Sequence, residues 1–214
     1  MALLALHSML TRLGWPLPDL TDQILRVTVM TAVLWLVVFK AARPVIDLRV
    51  RHLGTTLAIG IAVFAVWVAP DLLIAGYRHF WLFENAVAGK AETSMSSAAM
   101  SNWPVLILRL IRAVIIVPIV EELFWRAWLM RWLIDNDFER VPLGKYSAQA
   151  FWIVAVLFAS EHGSYWDVGL AAGIIYNWWM VRTRSLGDLI LAHAVTNGIL
   201  GAYVIAAGKW EYWL

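Results

Sequence analysis

Residues 103–134, WPVLILRLIRAVIIVPIVEELFWRAWLMRWLI, decide the fold class. The segment is apolar over a length that exceeds the roughly 20 residues a helix needs to cross a bilayer. Charged side chains nevertheless interrupt it, at Arg109, Arg112, Glu121, Glu122 and Arg126. Charges at such depth are costly and nearly always face a protein interior or a water-filled cavity. The segment therefore predicts a membrane helix that carries a buried polar site.

The rest of the chain is also too apolar for an ordinary soluble domain. Of its 214 residues, 62% are hydrophobic and 15% are charged, and the mean hydropathy is +0.71. Soluble domains are about 45–50% apolar and about 25% charged. Five further apolar windows lie at about 24–42, 53–77, 146–162, 168–181 and 186–207. We therefore expect an all-α, multi-pass transmembrane helical bundle with about six spanning helices, folded as a single integral-membrane domain over residues 1–214.

Charge and cysteine content narrow the function classes. The 17 Lys and Arg residues are dispersed and the net charge is +2, whereas a nucleic-acid surface needs a basic cluster. The chain has no Cys, which excludes disulfides, thiolate zinc sites and a cysteine nucleophile. The expected surroundings are therefore the lipid bilayer, with no nucleic-acid partner.

Two adjacent glutamates in the string VEELFWRAW have different expected roles. Glu122 and Arg126 are four residues apart and share a helix face, which favours a structural ion pair. Glu121 points about 100° away from that face and lacks that partner. Glu121 is therefore the better candidate for chemistry.

Two further polar pairs lie in apolar windows. Phe158 and His162 are four residues apart in FASEHGSYW, and His193 and Asn197 have the same spacing in LAHAVTNGIL. Each pair alone is also compatible with interfacial or interhelical hydrogen bonding. At about 1.5 Å per residue, however, Glu121 and the polar members of both pairs all fall inside a hydrocarbon core about 30 Å thick. Their common depth favours one shared site.

These four polar groups suit the hydrolysis of an amide in a dry site. A carboxylate and an imidazole can hold and deprotonate a water molecule, and a second imidazole with an amide can donate hydrogen bonds to an oxyanion. Zinc is the alternative, because Glu121, His162 and His193 are residue types that ligate it and leave a position open for water. The sequence contains no HExxH, so the usual helical zinc-protease motif gives no support.

The order of these motifs resembles that of a known family. The CAAX protease and bacteriocin-processing (CPBP, or ABI) intramembrane proteases share three motifs, which this chain supplies as EExxxR (Glu121, Glu122, Arg126), FxxxH (Phe158, His162) and HxxxN (His193, Asn197). The likeness covers about residues 119–200. The short six-span layout is most similar to the bacterial CAAX prenyl protease-related group. A family-like catalytic core is therefore expected at about 103–208.

The resemblance implies a role for each motif residue. Glu121 and His162 would activate water, while His193 and Asn197 would stabilise the oxyanion. The remaining motif residues would support the site: Glu122, Arg126 and Phe158. No cofactor is required in this scheme, and zinc held by the first glutamate and the two histidines stays the open alternative.

The leading hypothesis is an intramembrane endopeptidase that uses a glutamate-activated water on a peptide bond near a membrane anchor, similar to CAAX-type prenyl-protein proteases. Its substrate would be a membrane-anchored or lipidated protein or peptide. It would be a multi-pass protein of the cell membrane, in bacteria the inner membrane. A non-catalytic binding, immunity or scaffold protein would instead keep the polar cluster to hold helices together. A proton or ion carrier is the third class, weakened because the carboxylates are concentrated in one helix.

Overall fold

The computed structural model describes residue 13 and residues 17–36, 47–93 and 95–213. Its long helices are α1 (Asp19–Leu36), α2 (Leu53–Leu73), α3 (Trp103–Trp132), α4 (Ala148–Ser160), α5 (Trp166–Thr183) and α6 (Leu186–Ala207). A short helix, Ser97–Met100, precedes α3, and 3₁₀ turns lie at Tyr77–His79, Phe138–Arg140, Gly163–Tyr165 and Trp210–Tyr212. The described residues contain no β-strand, and the all-α fold is thereby confirmed.

Within the described ranges, three helices are long and apolar enough to cross a membrane. They are α2, α3 and α6, with 21, 30 and 22 residues and mean hydropathies of 2.0, 2.2 and 1.7. A multi-pass bundle is therefore supported. The sequence predicted about six spans, and three described helices meet both the length and the hydropathy criterion. Helix α1 carries Asp19, Asp22 and Arg26 within its 18 residues, and α4 has only 13 residues. The end of the first window, from residue 37, lies outside the described residues.

Helix α3 departs from regular α-helical geometry at two places. It widens into π-turns at Arg112–Ile116 and at Leu123–Leu129. Pro118 lies two residues after the first π-turn region and has no N–H to donate. Each π-turn contains one residue more than an α-helical turn and so rotates the side chains that follow about the helix axis. Glu121 and Glu122 lie between the two π-turns, so the directions of their side chains depend on both.

Helices α2 and α6 approach each other closely at Gly60. A Cβ atom at this position would lie 2.6 Å from the Ala192 carbonyl oxygen and 2.7 Å from Val195 Cβ. The Thr196 hydroxyl donates a hydrogen bond of 2.9 Å to the Gly60 carbonyl oxygen across the same contact. Helix α6 also carries His193 and Asn197, so this contact fixes the positions of both side chains along the axis of α2.

We expect Gly60→Ala to lower the stability of the protein by about 1–3 kcal/mol, because the added methyl overpacks a backbone contact that cannot yield. The matched control is Gly54→Ala on the same helix, where an added Cβ meets nothing within 4 Å. That control should leave stability unchanged or raise it by up to about 1 kcal/mol, since Ala is the better helix former. Thermal unfolding in detergent measures both, and an equal effect of the two changes would contradict the close contact.

One end of the bundle is fastened by Asp188, which is fully buried in the first turn of α6. Its Oδ1 accepts the backbone N–H groups of Arg51 and His52 at 2.7 and 3.0 Å. The His52 ring nitrogen Nδ1 lies 2.8 Å from the other carboxylate oxygen. One carboxylate thus satisfies the backbone donors that lead into α2 and holds the starts of α2 and α6 together.

The opposite end is fastened by Arg78, which is also buried. Its Nε donates to Asp71 of α2 at 2.9 Å, and its Nη1 donates to the Ser164 carbonyl at 2.8 Å and to Asp167 of α5. The guanidinium carbon lies 4.3 Å from the centre of the Tyr165 ring. These contacts join the end of α2 to the start of α5, close to the turn that carries His162.

Candidate active site

A cavity of about 180 Å³ lies between α2, α3, α5 and α6 and contains the predicted site residues. Its wall includes Glu121 from α3, His162 from the turn after α4, and His193 and Asn197 from α6. Most of the remaining wall is apolar: Trp67, Ala113, Val117, Phe158, Ala172, Tyr176, Thr196, Leu200, Tyr212 and Trp213. The structure therefore brings together side chains that are more than 70 residues apart in sequence.

The two adjacent glutamates have different surroundings. Glu122 has no exposed surface, and its carboxylate accepts hydrogen bonds from Arg126 Nη1 at 2.9 and 3.0 Å. The side chain of Glu121 lines the cavity and has neither a hydrogen-bond nor an ion-pair partner among the described residues. The i, i+4 ion pair expected from the sequence is present, and the neighbouring carboxylate remains open to the cavity.

His162 is held so that one ring nitrogen faces away from its backbone contact. Its Nδ1 lies 2.7 Å from the Phe158 carbonyl oxygen, one turn earlier in the chain. A carbonyl oxygen can only accept, so Nδ1 carries the hydrogen and Nε2 keeps its lone pair. The ring packs against Phe158 and Trp67, with centroid distances of 4.7 and 5.2 Å. This tautomer is the one that can accept a proton at Nε2.

The ring of His162 rests on Gly169 of α5, where a Cβ atom would lie 3.1 Å from both Cγ and Nδ1 of the imidazole. We expect Gly169→Ala to displace the ring by a few tenths of an ångström and to lower kcat about tenfold with little change in KM, because reactivity falls steeply with misplacement. Gly198→Ala is the control, since its nearest neighbour is a Val114 methyl at an ordinary 3.8 Å. Equal kinetics for the two variants would contradict the positioning role of Gly169.

His193 is fixed on two sides. Its Nδ1 lies 2.8 Å from Glu122 Oε1, and its ring stacks on Tyr176 at 5.1 Å between centroids. The Tyr176 hydroxyl in turn donates to the Thr196 hydroxyl at 2.8 Å. Because the Glu122 carboxylate, which pairs with Arg126, accepts from Nδ1, the Nε2 atom is left for the cavity. The Glu122 carboxylate thus binds both Arg126 and His193, and His193 lines the cavity.

Asn197 donates a hydrogen bond to a backbone carbonyl of α3 that Pro118 leaves without a helical partner. In the first π-turn the Val117 N–H donates to the Arg112 carbonyl, five residues back. The next donor in that register would be residue 118, but proline has no N–H, so the Ala113 carbonyl lacks a helical partner. Asn197 Nδ2 donates to this carbonyl at 2.9 Å. One amide hydrogen therefore holds α6 against α3, and the second remains available to the cavity that Asn197 lines.

Arg126 is supported by Asn177 of α5, a residue that the motif analysis missed. Arg126 Nε donates to Asn177 Oδ1 at 2.9 Å, and Asn177 Nδ2 donates to the Phe151 carbonyl at 2.8 Å. The guanidinium also lies 4.7 Å from the Phe158 ring centre. The sequence signal was a buried amide in the apolar string GIIYNWWMV, which by itself does not identify a partner.

The chain beyond α6 folds back and forms part of the cavity wall. Tyr212 and Trp213 line the cavity. The Tyr212 hydroxyl donates to Asp71 at 2.9 Å, and the Trp213 carbonyl accepts from the Thr93 hydroxyl at 3.1 Å. Burial beside Asp71 raises the pKa of Tyr212 above its usual range, so it remains a neutral donor. These aromatic side chains were also missed, because nothing in their sequence spacing relates them to the motifs.

The zinc alternative has little geometric support. Glu121, His162 and His193 line one cavity, but the described part of the chain holds no group of three His, Asp or Glu residues close enough to bind a metal ion. The residues as arranged therefore do not fit the tetrahedral site that zinc needs.

Comparison with known proteins identifies the segment that carries the site. Residues 102–199 match the family model described as type II CAAX prenyl endopeptidase Rce1-like. That range includes all three motifs, and the family resemblance expected from them is confirmed. Searches of curated proteins and of solved structures find no significant match. Residues 102–199 are therefore similar to the type II CAAX prenyl endopeptidase Rce1-like family, and this segment contains the motif residues that line the cavity.

Proposed function

We propose that the protein is an intramembrane endopeptidase that hydrolyses a peptide bond near the membrane anchor of a lipidated protein or peptide, using a water molecule activated by Glu121 and His162. The observation that carries the proposal is the contrast between the two glutamates. Glu122 is fully engaged with Arg126 and His193, whereas Glu121 faces the cavity without a partner among the described residues. A carboxylate kept only to hold helices together would be expected to have such a partner.

The first step is the attack of water on the scissile carbonyl. The Glu121 carboxylate and the Nε2 lone pair of His162 both border the cavity, and either can accept a hydrogen bond from the same water. The water oxygen forms a bond to the carbonyl carbon, and its proton passes to Glu121. The carbonyl π electrons move to oxygen and give an oxyanion.

The oxyanion then needs donors from the other side of the cavity. Asn197 has one amide hydrogen left after its bond to Ala113. His193 lines the same cavity with its Nδ1 held by the Glu122 carboxylate at 2.8 Å, so its Nε2 can donate to the oxyanion when the ring carries both protons. On collapse, the C–N bond breaks and the proton held by Glu121 goes to the leaving amine, which returns the carboxylate to its starting form.

The family similarity favours prenylated or otherwise membrane-anchored substrates. The apolar wall around the polar groups suits a peptide that enters from the bilayer, because a low-dielectric surrounding strengthens hydrogen bonds to a developing charge. The proposed place of action is a cellular membrane, in bacteria the inner membrane.

The test uses purified protein in liposomes and a fluorescent peptide that carries a prenylated cysteine. We expect cleavage of the prenylated peptide, with products identified by mass, and much slower cleavage of the same peptide without its lipid. Glu121→Gln protein in the same liposomes should give no product. Absence of cleavage by the wild-type protein for prenylated, acylated and helix-anchored peptides would contradict the proposal and favour a binding or scaffold role.

A further inference from the structure

The two ends of the helical bundle differ in their basic side chains. One end, which we call the basic end, is formed by the starts of α2, α4 and α6 and by the ends of α3 and α5. It carries six exposed Lys and Arg residues: Arg49, Arg51, Arg140, Lys145, Arg182 and Arg184. Among the described residues, the opposite end has two exposed basic side chains, Lys90 and Lys209, and each pairs with a glutamate.

Contacts between separate segments show that the basic end is one region of the structure. The Ser185 hydroxyl, just before α6, donates to the Arg49 carbonyl oxygen at 3.2 Å. A Cβ atom on Gly144 would lie 2.5 Å from the Met180 carbonyl oxygen in the last turn of α5. Lys and Arg in short loops and near helix ends determine the orientation of membrane proteins, and the face that is richer in them lies in the cytoplasm. This rule places the basic end in the cytoplasm.

The catalytic cavity is closed toward the basic end. Along α3, the buried pair of Glu122 and Arg126 follows Glu121 in that direction. Beyond this pair, α3, α4, α5 and α6 share a hydrophobic core whose buried members include Trp125, Met130, Val154, Met180 and Leu189. Protein interiors of this kind are close-packed. A peptide therefore has no path to Glu121 from the basic end.

The cavity instead extends toward the opposite end. Helix α3 packs against α4 through residues 123–132 and against α1 and α6 through residues 103–116, so α3 and α4 separate in this direction. The cavity wall here includes His162, Tyr212 and Trp213, which lie in turns outside the long helices. Glu121 and His162 are both partly exposed, whereas Glu122 is fully buried. A substrate therefore reaches Glu121 from the end that lies opposite the basic end.

We propose that the catalytic cavity opens on the non-cytoplasmic side of the membrane, and that its substrates are exported, membrane-anchored proteins or peptides. The side of the membrane follows from the basic side chains and the packing around the cavity, whereas the kind of substrate rests on the proposed peptidase function. Proteins are made in the cytoplasm, so a translocation step that moves the peptide across the bilayer must supply this substrate. Water from the non-cytoplasmic side would supply the nucleophile.

The orientation can be measured directly because the chain has no Cys, so a single introduced thiol reports one position. Lys90→Cys probes the opposite end and Arg140→Cys the basic end, and both replace an exposed side chain that pairs with an acid. In spheroplasts of bacteria that express the full chain, a membrane-impermeant maleimide should label the Lys90→Cys protein. The Arg140→Cys protein should be labelled only after the membrane is permeabilised.

Lys209→Cys and Lys145→Cys repeat the comparison at a second position of each end, in case one of the first variants does not fold. The reverse labelling pattern, or equal labelling of both ends before permeabilisation, would overturn the proposal.

The side of cleavage is tested with sealed vesicles and a lipid-anchored peptide whose large hydrophilic group prevents it from crossing the bilayer. Right-side-out vesicles should cleave the peptide, whereas inverted vesicles should give product only after detergent opens them. Vesicles that contain Glu121→Gln protein control for proteases of the host. Equal rates in both vesicles, or faster cleavage by inverted ones, would overturn the proposed opening. Absence of cleavage even in detergent would instead contradict the proposed function, and thiol labelling would still decide the orientation.

Discussion

Glu121→Gln protein is expected to lose cleavage activity by about 10²- to 10⁴-fold while its thermal stability stays within about 0.5 kcal/mol of the wild type. The reason is that Glu121 faces the cavity with no hydrogen-bond or ion-pair partner among the described residues, so the amide removes a base and disrupts no contact seen there. The measurement is kcat/KM on a prenylated peptide, together with unfolding of the same preparation in detergent.

The adjacent carboxylate supplies the comparison. Glu122→Gln should lower stability, because Glu122 holds both Arg126 and His193. A Glu121→Gln variant that cleaves normally, or that unfolds as early as Glu122→Gln, would contradict the separation of roles between the two residues.

Arg126→Met is expected to destabilise the protein by about 3–5 kcal/mol, since it leaves a fully buried carboxylate without its cation. Asn177 loses a donor to its Oδ1 at the same time. The free energy of unfolding in a mild detergent measures the effect. The control is Arg140→Gln, where the ion pair with Asp137 is exposed and contributes no more than about 1 kcal/mol.

A double variant, Glu122→Gln with Arg126→Met, distinguishes the loss of the ion pair from the loss of each side chain on its own. It should cost clearly less than the sum of the single changes, because no uncompensated charge remains. Additive losses would show that the two residues stabilise the bundle independently, contrary to their 2.9 Å contact.

The sequence predicted much of the site because its spacings are short and helical. Glu122 and Arg126 are one turn apart and form the expected pair. The same spacing relates Phe158 to His162, where the contact runs through the Phe158 carbonyl. The family resemblance then related three separate helices that periodicity alone could not bring together.

Other features depend on backbone geometry that periodicity does not reveal. The π-turn at Arg112–Ile116 leaves the Ala113 carbonyl for Asn197, a contact that a regular helix would not predict. Tyr212 and Trp213 reach the cavity only because the chain turns back after α6. Hydropathy windows also do not define helix lengths, because α4 is apolar but ends after 13 residues.

The most direct test of the central claim is a single turnover in H₂¹⁸O, with excess protein over prenylated peptide in liposomes. Direct attack by a Glu121-activated water predicts one ¹⁸O atom in the new carboxylate of the amino-terminal product, no label in the Glu121 side chain, and no product from Glu121→Gln protein. Label in the Glu121 carboxylate would indicate a covalent acyl intermediate, and labelled product from the Glu121→Gln protein at the wild-type rate would contradict the role of Glu121 as the base.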